Sequence, residues 1–318
     1  QRGRRLLIPH TPDITITRAT GPAGSNGQDG ADGAQGDQGI QGVAGNDGAD
    51  ADLSRVIAIE TLLDGVNRSG DNLVFTGMNL QVTDGSGETW GVVNGLGNII
   101  IGYDEDIDEG ITSDKTGSHN FIVGYGHNYT SYGAIVSGLY NQSLAPFASL
   151  TGGMRSIASG VYSSVSGGRA NTASGLYSSV SGGQTNQATG ESSSISGGGI
   201  GTASGRIASI SGGQQGTASG VGSSVNGGSQ NSASGNYSSV SGGLLNIADG
   251  GLASISGGNK NTASGQLASV SGGVFNSADG LHTSILGGQN NTTGVSAWGS
   301  SITGGLNNTT ISHNQVVP

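Results

Sequence analysis

Residues 163–192 read S-S-V-S-G-G-R-A-N-T-A-S-G-L-Y and then S-S-V-S-G-G-Q-T-N-Q-A-T-G-E-S, one 15-residue unit written twice. The unit recurs from Leu150 onward. Its aliphatic position holds Leu150, Val165, Val180, Ile195, Ile210, Val225, Val240, Ile255, Val270 and Ile285, each preceded by serine. Its second apolar position is alanine, from Ala158 through Ala173 and Ala188 to Ala278. A glycine pair follows each aliphatic residue, from Gly152 and Gly153 to Gly287 and Gly288, and a lone glycine marks the other corner, from Gly160 to Gly280. Glycine at fixed corners means bends that need positive φ, or backbones that approach closely. Two short strands per unit, stacked about 4.8 Å apart, describe a narrow β-solenoid whose roughly eleven rungs span roughly 50 Å.

The interior of such a solenoid is thin. Each coil offers one Val or Ile, worth roughly 1.5–3 kcal/mol when buried, and one alanine, whereas ordering the backbone costs roughly 1–2 kcal/mol per residue. A face buried between chains is therefore expected in addition. The recurrent Asn171, Asn186, Asn231, Asn246, Asn261, Asn276 and Asn291 admit two roles. They form a ladder of side-chain amides bonded to one another, or they are turn residues that tolerate left-handed backbone.

Composition agrees with a repetitive fibre. The chain has 318 residues, 64 of them glycine, with only 10% charged and 4% aromatic residues, too little bulky apolar material for one conventional core. It contains no cysteine, which excludes disulfides and thiolate chemistry. A net charge of −10 argues against a nucleic-acid partner, and no apolar run is long enough to span a membrane as a helix. Arg2, Arg4, Arg5 and Arg18 make the N-terminal tip basic. The chain opens on Gln1, as a trimmed, exported product does.

Upstream of the repeats, four segments follow one another. Residues 1–20 form an arm, with Leu6, Leu7 and Ile8 ahead of a strand-like Ile14, Thr15, Ile16, Thr17. In residues 21–50, glycine falls on every third position at Gly21, Gly24, Gly27, Gly30, Gly33, Gly36, Gly39, Gly42, Gly45 and Gly48. Only glycine fits at the axis of three polyproline-type strands, so this register predicts a collagen-like triple helix. Residues 51–70 carry Val56, Ile59, Leu63 and Val66, the a/d seam of a short trimeric coiled-coil neck. Residues 71–147 read as an irregular β transition with the first coils, and strand signals fall at Leu73–Phe75, Leu80–Val82, Ile99–Ile101 and Phe121–Val123. The regular repeats occupy 148–305 and a tail 306–318. The fold class is thus all-β and fibrous: a homotrimeric β-solenoid behind a triple-helical stalk.

The repeats S-V-S-G-G and A-S-G, with N-I-I-I-G at 98–102 and N-F-I-V-G at 120–124, resemble the left-handed β-roll heads of YadA-like trimeric autotransporter adhesins. The resemblance covers residues 98–310, and the chain is also similar to bacterial surface proteins in which collagen triplets precede a short coiled coil and such repeats. It implies three parallel rolls packed side by side, outside a bacterial cell. The unit here is one residue longer than is typical of those heads, and no membrane-barrel anchor appears before Pro318.

Chemistry is sparse. Asp104, Asp106, Asp108 and Glu109 have the oxygen donors of a calcium loop without EF-hand spacing. The alternative is a solvated acidic loop, and no other cofactor is expected. His119 and His127 lack a carboxylate at ligand spacing and read as surface histidines. No nucleophile elbow, phosphate loop or zincin motif is present, and the rung carboxylates Glu191, Asp249 and Asp279 stand coils apart, unlike the paired acids of a glycosidase. The expectation is a non-enzymatic structural fibre subunit or adhesive surface filament. Head-to-tail joining would use the arm residues Leu6, Leu7, Ile8, Ile14 and Ile16 against the C-terminal Val316 and Val317. The alternatives are a phage receptor-binding tail fibre and, through the S-V-S rows, an ice-binding solenoid.

Overall fold

The structure, a computed structural model, describes residues 49–107 and 113–318. The arm with Leu6, Leu7, Ile8, Ile14 and Ile16, the triplet glycines Gly21 to Gly48, and Asp108 and Glu109 lie outside the described residues. The chain divides into a unit ending at Gly77 and a unit Met78–Pro318.

In the first unit, helix α1 spans Ala49–Leu62 and strands β1 (Val66–Ser69) and β2 (Asn72–Phe75) form an antiparallel hairpin. The helix stops earlier than the heptad reading requires. Gly65, at φ 85°, ends it in the left-handed corner typical of helix C-termini, and Val66 turns from a seam position into the first residue of β1. Val56, Ile59 and Leu63 are each about half exposed, at 47, 54 and 49%. Gly70 at φ 59° supplies the first central residue of the two-residue hairpin turn, a place where glycine is strongly favoured.

In the second unit the chain winds into a solenoid with two parallel sheets. One has 15 strands, starting with β3 (Ile99–Ile101), β4 (Phe121–Tyr125) and, after β5 (Asn128–Tyr129) of the other sheet, β6 (Ile135–Leu139), and it ends on Val316–Val317. The other has 13 strands, from β5 to Thr309–Thr310. Leu80–Val82 is not a strand; the segment has no pairing partner among the described residues, and Leu80 is exposed. From Leu150 to Ile285 each rung pairs with the residue 15 positions on, as Val165 does with Val180 and Ala173 with Ala188.

The solenoid begins before the regular repeat, in coils one residue shorter. Phe121 pairs with Ile135 and Val136 with Leu150, an offset of 14. Gly138 stacks against Gly153, and Leu139 bridges Met154. The added residue of the longer coil is therefore the first glycine of the pair, Gly152 and its successors. Two wider offsets follow at the far end, where Ile285 pairs with Ile302 and Thr292 with Thr309, 17 positions on.

The three kinds of glycine differ physically. The second of each pair combines positive φ with close approach: Gly183 stands at φ 88°, and a Cβ there would sit 2.2 Å from Gly198 O. The lone corner glycine needs only the approach, since a Cβ on Gly175 would meet Gly190 O at 2.0 Å. The first of each pair needs neither. From Gly167 to Gly304 its φ lies outside the left-handed region and nothing stands within 4 Å of a Cβ.

Each coil buries its aliphatic residue and its alanine, and most bury an asparagine as well; Val165, Val180, Ile195, Ala173 and Ala188 are at most 1% exposed. The asparagines fill neither expected role. Asn186 donates Nδ2–H to Gly182 O in its own coil (3.0 Å) and to Gly198 O in the next (3.1 Å), and its Oδ1 accepts the backbone N–H of Gly201 (2.8 Å). The side chains thus bond backbone, not one another, and the left-handed residue is the one before each asparagine, such as Ala170, Thr185 or Leu245. Buried backbone groups that the short strands leave open require partners, and this side chain offers a donor and an acceptor to two coils at once.

His127 corrects the surface-histidine reading. It is 1% exposed and opens the same column, with Nε2–H donating to Val123 O (3.1 Å) and Nδ1 accepting the N–H of Asn141 (3.1 Å). A neutral imidazole mimics an asparagine there. Burial holds its pKa below the usual histidine value.

Candidate functional site

The largest feature that the fold does not explain is the outward face of the 15-stranded sheet. Residues alternate along a strand, so the neighbours of each buried rung residue point out. At the start of the sheet these are apolar and exposed: Ile99, Ile101, Phe121 and Ile135 range from 37 to 55% exposed. A groove of about 490 Å³ lies among Leu80, Val82, Ile99, Phe121 and Ile135. Farther along, the same face carries the serine row Ser149 to Ser284 and a second row from Ser166 to Ser271 that only Asn226 interrupts, bordered by the unforced first glycines. It bears no charged side chain in those rows. Elsewhere on the coil, positions drift through Arg169, Glu191, Arg206, Asp249 and Lys260.

The acidic segment is organised around a cation that the chain itself supplies. Lys115 Nζ lies 3.6 Å from Asp104 Oδ1 and 3.3 Å from Asp106 Oδ1 and also donates to the carbonyl oxygen of Asp104. Tyr129 OH donates to Asp104 Oδ2 at 2.9 Å; burial first, then this bond, pushes the phenol pKa up. The backbone N–H of Ser113 donates to Asp106 Oδ1 at 3.2 Å, and this bond leads the causes that hold the Asp106 pKa down. Asp104 and Asp106 come together, then, around an ammonium. Among the described residues no cluster of three His, Asp or Glu side chains is placed to hold a metal.

His119 also departs from the surface reading. It lines a cleft of about 330 Å³ with Asp84, Ser86's flanking glycines, Glu88 and Thr89. Asp84 Oδ1 accepts the Ser86 hydroxyl (2.6 Å) and backbone N–H (2.8 Å), and those bonds lead the causes that lower its pKa. His119 Nε2 accepts the backbone N–H of Asp84 at 3.2 Å, and Nδ1 stands 3.3 Å from Thr89 O. Serine, aspartate and histidine meet here in the wrong order for acyl transfer. The hydroxyl bonds the carboxylate directly, and the imidazole nitrogen that a general base would use is already taken. The sequence signal for this cleft was the turn D-G-S-G-E at 84–88, which reads only as a loop.

Of the residues assigned to polymer contact, Val316 and Val317 form the last strand of the first sheet, paired with Ser301 and Ile302. Val316 is 69% exposed, while Val317 packs on the core. No helix among the described residues is long and apolar enough to cross a membrane. The class the fold defines is a parallel β-solenoid built from 15-residue turns. The chain matches no protein-family model and no curated protein.

Proposed function

We propose that this chain is a non-enzymatic, extracellular fibre subunit that works as a parallel homotrimer, its rolls meeting through the outward face of the 15-stranded sheet. One observation carries the reading. That face exposes Ile99, Ile101, Phe121 and Ile135 and continues as serine with a row of glycines that nothing inside the chain requires. Glycine gives up more backbone freedom on folding than any other residue, so a row of them that nothing within the chain requires is favoured where a second backbone must come close. The unbroken triplets of Gly21 to Gly48 supply the number three. The coils of 14 residues at Phe121 and Val136 strengthen the likeness to YadA-like heads, whose unit has that shorter length.

In this reading the stalk and neck set the trimer, and the rolls project as a stiff surface filament or adhesive head. Equilibrium sedimentation of the full chain tests it. The expected mass is three times the 31.1 kDa of one chain or a multiple of that; a stable monomer overturns the proposal. Negative-stain images of the same material separate single heads from continuous filaments.

A further inference from the structure

A column of single-residue bridges runs up the solenoid from Leu139 through Met154, Arg169, Gln184, Gly199 and Gln214 to Leu306. Every member but Gly199 carries a side chain. The gap leaves a slot of about 230 Å³ lined by Gln184, Thr185, Gly199, Ile200 and Gln214. Nothing in the backbone asks for glycine at this position. Its φ lies outside the left-handed region, and the closest atom to a Cβ there is Gln184 O at 3.9 Å, an ordinary contact.

The floor of the slot is also costly. Thr185 and Ile200 hold φ 56° and 58°, a region where β-branched side chains are strained. Ile200 is 49% exposed as well. Other coils place Asn290 and Asn307 at the equivalent corner, and asparagine accepts that backbone with little penalty. An unneeded glycine beside a strained, exposed isoleucine points to a binding role, the direction in which strain is properly read.

We infer that the slot binds a single neutral sugar ring. Its lining is uncharged. The amides of Gln184 and Gln214 close it on two sides and offer both donors and acceptors, Thr185 adds a hydroxyl, and Ile200 gives an apolar floor. A pyranose has the complementary form, hydroxyls around the rim and C–H bonds on the face. A peptide laid along the column would collide with the two glutamines, so the ligand enters end-on. The volume is below the roughly 300–1,000 Å³ of a drug-sized pocket, so the slot takes one ring. All of its lining comes from one chain, so the slot does not need the trimer to be complete.

Saturation-transfer NMR on the full-length protein, with methyl glycosides of glucose, galactose, mannose and N-acetylglucosamine as probes, tests the assignment. At least one glycoside should bind saturably in the millimolar range. Gly199→Gln, which restores the side chain its column neighbours carry, should abolish that binding, while Ser229→Gln in the same column should not. Ile200→Asn should weaken binding about ten-fold, the worth of a lost apolar contact, while leaving the melting temperature equal or higher because strain is relieved. Silence from all four glycosides, or unchanged binding in Gly199→Gln, overturns the inference. So does a smaller sedimenting species for Gly199→Gln, since the slot would then hold a second copy of the chain.

Discussion

Asn186 satisfies three backbone groups in two successive coils, whereas Ser178, buried a few residues earlier, leaves its hydroxyl with no partner. The repeat treats the two positions differently. Ala208, Ala253 and Ala268 replace serine in the second column, while the first keeps its amide in most coils. Removing the Asn186 side chain should cost about 3 kcal/mol, at about 1 kcal/mol per bond lost. Removing the Ser178 hydroxyl as Ser178→Ala should be neutral or stabilise by up to about 1 kcal/mol, because a buried unpaired polar group is itself a penalty. Urea midpoints of the two variants check both signs. His127 adds a pH dependence. Its folded pKa is depressed below the ordinary 6.5, so the unfolded chain takes up the proton first as pH falls. Its contribution is therefore whole above about pH 6.5 and declines below that until the folded pKa is reached. The protection factor of the Asn141 amide, which His127 Nδ1 accepts, should fall on acidification in the native protein once the intrinsic pH dependence of exchange is divided out, and much less in His127→Asn.

At the scale of the coil, the period and the identity of its inward positions were legible because strict recurrence every 15 residues leaves one register that buries the aliphatic and alanine columns together. The bonding of the asparagines was not legible. Their spacing is the same whether the amide reaches its neighbour's amide or its neighbour's backbone, and only the corner geometry decides. The helix was half legible: the apolar spacing runs through Val66, but Gly65 turns the chain first. The clefts and the slot escaped because they are made by what is missing, a side chain at Gly199, or by a loop far away in sequence, as when His119 meets Asp84. The coexistence of both coil lengths in one sheet carries its own prediction. Deleting Gly182 converts one coil to the form that Gly138 already shows, so circular dichroism should be unchanged and stability should shift by no more than about 1 kcal/mol, the scale of a surface change. Deleting Thr202 instead moves Ala203 off the inward face, and that variant should lose its cooperative transition.

For the whole molecule, the decisive question is what lies against the outward face of the long sheet, and the first-glycine row allows a test that separates a lone roll from an assembled one. Gly227 has nothing within 4 Å of a Cβ, and its φ is outside the left-handed region. In an isolated chain Gly227→Phe should therefore be harmless, or gain roughly 0.5–1 kcal/mol from the lost glycine entropy. In the proposed trimer the same ring would stand where a second backbone approaches, and overpacking of that kind costs typically about 1–3 kcal/mol for each buried copy. Three copies bring three such clashes into one axis. The stalk would still hold the chains together, so mass alone is the wrong readout. The expected result is a trimeric mass with a lowered melting temperature of the β signal and splayed heads in negative stain. Ser234→Phe, at an exposed position just after the Ser232–Ala233 strand of the opposite sheet, should leave both unchanged. If Gly227→Phe melts like the native protein and its heads stay joined, the rolls do not meet through this face.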